Sequence, residues 1–298
     1  MWFGKLFTFS SPYNVRVAAL SSNALRRDLS QRNCERARAY EHELSYGAVP
    51  SIIYKEQANG QGHGNFIPTS YQAICRNPEW RRRLEKVYTG AQWVPRAWER
   101  KRGELDCASS SDALLMNIFC YPGVLRRSQL CALLGVDRGF APEFGFRPNV
   151  PLLNGRGDRT EVDMRIGDLL VEAKLTESAF QPAPARLLLR YRDFEEVFDG
   201  EDLRTGNGFR GYQVVRGALA AYAAERSYLL LCDERRRDLI DGWFDVVKAV
   251  RSYSFRNRLK LLTWQEVAGA VPGRLQKFLA EKYGVVRAGM VEAAEEDS

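Results

Sequence analysis

The sequence predicts an α/β fold, with a central mixed β-sheet flanked by helices and helical additions at both ends. Residues 159–175 read as two strands joined at a Gly167-Asp168 turn. Residues 211–225 form a helix with Val214, Ala218 and Ala221 on one face, and it runs directly into the apolar strand 227–232. That strand-helix-strand crossover buries the sheet, and a chain of 298 residues with 45% hydrophobic residues can supply the core.

The remaining elements follow in order. Residues 20–47 set Leu25, Leu29 and Tyr40 among charges, which predicts one or two amphipathic helices. The alternating glycines of Asn59-Gly-Gln-Gly-His-Gly-Asn65 predict a loop. Residues 77–88 predict a helix with a basic face, and Ser109-Ser-Ser-Asp112 caps the apolar helix 113–119. A short helix, 125–134, precedes an imperfect edge strand over 140–153 that contains Pro148. Beyond the hairpin, residues 191–198 predict a helix and 199–207 a loop. Residues 235–251 predict a further helix, 260–263 a short strand, and 264–283 helix interrupted at Pro272-Gly273. Three segments are expected: a basic, mainly helical region at 1–108 packed on the core, a main domain at 109–290, and an acidic disordered tail at 291–298.

Composition narrows the chemistry. The cysteines (Cys34, Cys75, Cys107, Cys120, Cys131, Cys232) lack paired spacing and the only histidines are His42 and His63, which disfavours a zinc cluster or disulfide framework. A metal here should be held by oxygen, which favours Mg2+ or Mn2+. The longest apolar runs fall short of a membrane span and the opening Met1-Trp-Phe-Gly-Lys lacks a leader's pattern, so a cytoplasmic protein is expected. The formal charge of +7 resides in residues 1–110, with 17 Lys+Arg against 10 Asp+Glu, whereas the remainder balances at 27 against 27. A basic region beside a carboxylate site suits an enzyme acting on a polyanion; ordinary solvated surface is the alternative. Trp80 beside Arg81-Arg-Arg83, and Trp93 and Trp98 among Arg96, Arg100, Lys101 and Arg102, are read as core anchors, with stacking on unpaired bases as the alternative.

The hairpin carries the chemistry. Strand alternation puts Glu172 and Lys174 on one face, and pairing about Gly167-Asp168 brings Asp163 near Glu172. A cation can then be bound by Asp163, Glu172 and the backbone carbonyl of Ala173, with Lys174 in reach of an attacking water. A metal at such a place offsets the charge of a phosphodiester and acidifies water. Glu172 and Lys174 adjoin the apolar run Leu169-Leu170-Val171, where buried charges need a partner or a task. A plain same-face ion pair would satisfy the same pattern. On the following helix, Gln213 is placed to hold the lysine or a water, and Arg216 a phosphate.

The order Asp163, Glu172-Ala-Lys174, crossover helix with Gln213 resembles a bacterial branch of the PD-(D/E)xK nuclease superfamily, the restriction-endonuclease-like fold, over roughly residues 109–240. The resemblance implies Asp163 and Glu172 as ligands of Mg2+ (or Mn2+), Lys174 as the catalytic aid and Gln213 as its support. It implies DNA as the substrate, endonuclease action, and homodimerisation so that two sites meet two strands. Val162 stands where the family usually has proline. A further acid on the first core helix is unassigned among Glu104, Asp112 and Glu143, with Asp112 readable as a cap alone; Glu161 is read as a supporting group. Two other readings stay open: a nucleic-acid-binding protein with a degenerate site, and a structural protein with a buried charge network.

Overall fold

Five strands build the sheet that carries Asp163 and Glu172 in this computed structural model, which describes residues 18–286 apart from 59, 61, 89, 91 and 92. They are β1 (Glu143–Phe146), β2 (Val162–Ile166), β3 (Leu169–Ala173), β4 (Ser227–Cys232) and β5 (Leu259–Thr263), in spatial order β5-β4-β3-β2-β1. The β1/β2 and β2/β3 pairs are antiparallel, and β4 is parallel to both its neighbours, so the sheet is mixed. Ile166 faces Leu169 across the turn, where Gly167 takes φ +53°, a conformation glycine adopts without strain. Central β3 is buried at every position and apolar except at Glu172, while β2, nearer the edge, alternates buried and half-buried residues.

Among the described residues the longer helices are α1 (Ser22–Ala37), α2 (Pro68–Arg76), α3 (Pro78–Leu84), α4 (Ser111–Phe119), α5 (Ser128–Leu134), α6 (Tyr212–Ala223), α7 (Arg237–Lys248), α8 (Trp264–Gly269) and α9 (Gly273–Tyr283). One sheet face, with Met164, Val171 and Leu229, packs on Leu25 of α1, Leu114 of α4, Leu130 of α5, Trp264 of α8 and Leu275 of α9. The other face, with Leu170 and Leu230, packs on Val215 and Leu219 of α6 and Trp243 of α7. At the α6–sheet contact Gly217 is required: a Cβ there would stand 2.3 Å from the Tyr228 hydroxyl. The crossover from β3 to β4 therefore lays α6 over the face that carries Asp163 and Glu172.

Several expected elements differ. Of the one or two helices expected over 20–47 one forms, α1, and a short antiparallel hairpin follows it, His42–Leu44 with Ile52–Tyr54, whose Ile52, Ile53 and Tyr54 are all buried. The expected edge strand 140–153 breaks at Arg147-Pro148 into β1 and a two-residue strand, Val150–Pro151. Helix forms only at Phe194–Val197 within 191–198, since Tyr191 bridges to Leu152. The expected loop 199–207 holds a helical turn at Gly200–Leu203 and the strand Arg204–Thr205, part of a small three-stranded sheet. Trp80 is an anchor, packed edge-on against Phe144 with its indole N–H donated to the Pro142 carbonyl, whereas Trp93 is 83% exposed and is not. The expected disordered tail lies outside the described residues. No helix among them is long and apolar enough to cross a membrane.

A buried lysine joins the N-terminal region to the C-terminal helices. Lys282 Nζ donates to Asn33 Oδ1 at 2.8 Å, an oxygen that also accepts from the Tyr54 hydroxyl. Burial holds the Lys282 ammonium well below its usual range, with Arg36 adding to the effect. The unfolded chain binds this proton below about pH 10.4 and the folded one only below its depressed value, so stability falls as pH drops from the first to the second. Lys282→Met should raise stability by about 0.5–2 kcal/mol at pH 7. Thermal melts should show the difference from wild type shrinking toward pH 10.

A candidate metal centre at the β2–β3 hairpin

The hairpin positions Asp163, Glu172 and Lys174. The pairs Met164↔Val171 and Arg165↔Leu170 put Asp163 across the ladder from Glu172 at the open end. Met164, Val171 and Ala173 point to the opposite face, so Asp163 and Glu172 share the α6 side. Asp163 Oδ2 accepts the Ala173 N–H at 2.7 Å, and Lys174 Nζ donates to Glu172 Oε1 at 2.7 Å. The Lys174 backbone is fixed as well: its N–H donates to Leu231 O on β4, and its carbonyl accepts the Trp264 indole N–H at 2.9 Å. Glu172 and Lys174 are 4% and 7% exposed, while Asp163 keeps a partly exposed edge.

The electrostatics are crowded with negative charge. Burial pushes the Asp163 carboxyl well above the usual range, and the Glu172 and Asp112 carboxylates push it further against the pull of Lys174 and the Ala173 N–H. Burial opposes the charge on Lys174, but Glu172, Asp163 and Glu177 outweigh it and hold the ammonium form. Glu177 is itself fixed, accepting the Leu175 N–H at 2.6 Å and the Ser111 hydroxyl. This donor set is all oxygen, which suits a hard divalent cation. Among the described residues Asp163 accepts one hydrogen bond, in a surrounding where a second positive charge would relieve repulsion. Among the described residues no three His, Cys, Asp or Glu side chains converge on one point, and Glu172 is turned toward Lys174.

Other expected residues are separated from this group. Gln213 sits exposed in the first turn of α6, and Lys174 bonds to Glu172 instead of to it. Arg216 is buried, with Nη2 3.3 Å from the Glu161 carbonyl. Asp112 is no cap: Ser110 caps α4 by accepting the Ala113 N–H, and Asp112 lies buried in the first turn, where its charge reaches Asp163. Its partners are distant in the sequence. Arg83 and Lys86 bind Asp112 at 2.9 and 3.1 Å and Glu161 at 2.7 and 3.2 Å. The basic run Arg81-Arg-Arg83 was the available signal, but nothing in it says which arginine turns inward.

Mixed sheet, crossover helix and hairpin acids together define a restriction-endonuclease-like protein of the PD-(D/E)xK superfamily. The chain belongs to the family described as "Restriction Endonuclease associating with ARP", whose model matches residues 37–284. That match takes in residues 37–108, which the motif alone did not tie to the fold. Among curated proteins and solved structures nothing matches the chain.

Proposed function

We propose that this protein is a metal-dependent nuclease that hydrolyses phosphodiester bonds, foremost in DNA and as an endonuclease. The observation that carries the reading is the convergence of Asp163, Glu172 and Lys174 on one face of the β2–β3 hairpin in a chain of a restriction-endonuclease family. Asp163 and Glu172, with the Ala173 carbonyl, would hold Mg2+ or Mn2+. The bound cation would supply charge compensation for the phosphate and a more acidic water. Lys174, kept as ammonium by the surrounding carboxylates, is suited to stabilise developing negative charge, and not to remove a proton. Asp112 supports the site as a third carboxylate acting on Asp163. Gln213 would have to turn inward when substrate binds, since its side chain is now exposed.

One observation favours a second reading, a nucleic-acid-binding protein with a degenerate site: Glu172 is neutralised by Lys174, and no three acids converge among the described residues. Incubation with supercoiled, linear and single-stranded DNA and with RNA, each in Mg2+, Mn2+ and EDTA, separates the two. The nuclease reading expects cleavage of DNA with either metal and none in EDTA. Salt-dependent retention of DNA without cleavage in any metal would favour the degenerate site.

A further inference from the structure

We propose that Arg83 and Lys86, carried by the N-terminal region, form the seat for a phosphodiester of a single nucleic-acid strand beside Asp163. The choice of strand as ligand rests on the nuclease reading. Both cations line a cleft of about 740 Å³ together with Arg82 and Arg147; the acids Glu79, Glu143 and Glu161 share its wall, Glu79 paired with Arg82 and Glu143 with Arg165. Their positions are built. Arg83 donates through Nη1 to Glu161 and through Nη2 to Asp112, and Lys86 donates to the same two acids. Gly145, at φ +66°, leaves room for the guanidinium, because a Cβ there would stand 2.5 Å from Arg83 Nη1.

A guanidinium has five N–H donors and an ammonium three, more than these two carboxylates engage. The acids fix the cations in place and leave donors for a phosphate oxygen, the arrangement in which arginine binds phosphate with least loss of side-chain entropy. Burial opposes the charge on Arg83, yet Asp112 and Glu161 more than offset it, so the donors stay charged. Arg147 reaches within 4.0 Å of Glu161 from the exposed side and continues the positive wall outward. The cleft's volume gives room for a nucleotide or two of one strand. Asp112 connects this seat to the hairpin, for it pairs with both cations and its charge acts on Asp163.

The test is binding of a labelled single-stranded oligonucleotide by the full chain in EDTA, followed by fluorescence anisotropy across a KCl series. Lys86→Gln and Arg147→Gln, whose side chains are 25% and 71% exposed, are compared with Lys277→Gln on α9 as the control, with melting curves to verify folding. Each removed phosphate contact should lower the slope of log affinity against log salt by about 0.7. Lys277→Gln should leave it unchanged. Unaltered slopes in folded Lys86→Gln and Arg147→Gln would overturn the seat, as would tighter binding of duplex than of single strand. Cleavage with unaltered slopes removes the seat and keeps the nuclease, whereas the expected slopes without cleavage in any metal keep the seat and remove the nuclease.

Discussion

Asp163→Asn should lose cleavage by on the order of 10³-fold and at the same time become more stable at neutral pH. The amide keeps an acceptor for the Ala173 N–H and discards a charge that burial, Glu172 and Asp112 all disfavour. The sign follows from linkage. Because the folded-state pKa is raised above the unfolded value, the stability contribution of Asp163 is complete below about pH 3.9 and is lost as pH rises through the folded value. Wild type should therefore weaken over that interval relative to the variant. By pH 7 the variant should lead by about 0.5–2 kcal/mol in denaturant melts. Mn2+ should stabilise wild type and leave Asp163→Asn unmoved, since only a state that binds the ligand gains from it. A variant that loses stability at pH 7 would mean that the carboxylate is structural.

Lys174→Met carries the second large effect, with the opposite sign. Lys174 and Glu172 are buried and paired at 2.7 Å, so removing the ammonium strands a carboxylate beside Asp163 and Glu177. Such a break costs about 3–5 kcal/mol, a large share of the stability of a domain. The double variant Glu172→Gln/Lys174→Met removes both charges and should recover most of the loss while remaining inactive. Divalent cation should stabilise the single variant more than wild type, because it then has no internal ammonium as competitor. Equal destabilisation of single and double variants would show that packing, and not charge, is the origin.

The hairpin was legible in the sequence because its information is local. Gly167-Asp168 supplies the turn, and a two-residue period then determines which of Asp163, Glu172 and Lys174 share a face. The crossover was legible for the same reason, in the apolar face of α6 and the unbroken strand behind it. What failed was long-range. The His42–Leu44/Ile52–Tyr54 hairpin follows from burial of Ile52 to Tyr54 beside α1 and Cys107, a context that the charged segment 20–47 does not contain. Asp112 looked like a cap because it follows three serines, and its partners Arg83 and Lys86 lie 29 and 26 residues away. Gln213 follows the spacing of a supporting residue, yet spacing alone cannot say whether the first turn of α6 presses on the site or faces solvent.

The most direct test of the central claim is the single-turnover rate of cutting one labelled DNA, presented both as single strand and as duplex, in Mn2+, measured for wild type and Asp163→Asn in parallel. Cutting by wild type, its abolition by EDTA, and its loss in a variant that melts no lower than wild type would be the predicted result. Equal rates for the two proteins, or a rate indifferent to EDTA, would contradict a metal centre at the β2–β3 hairpin.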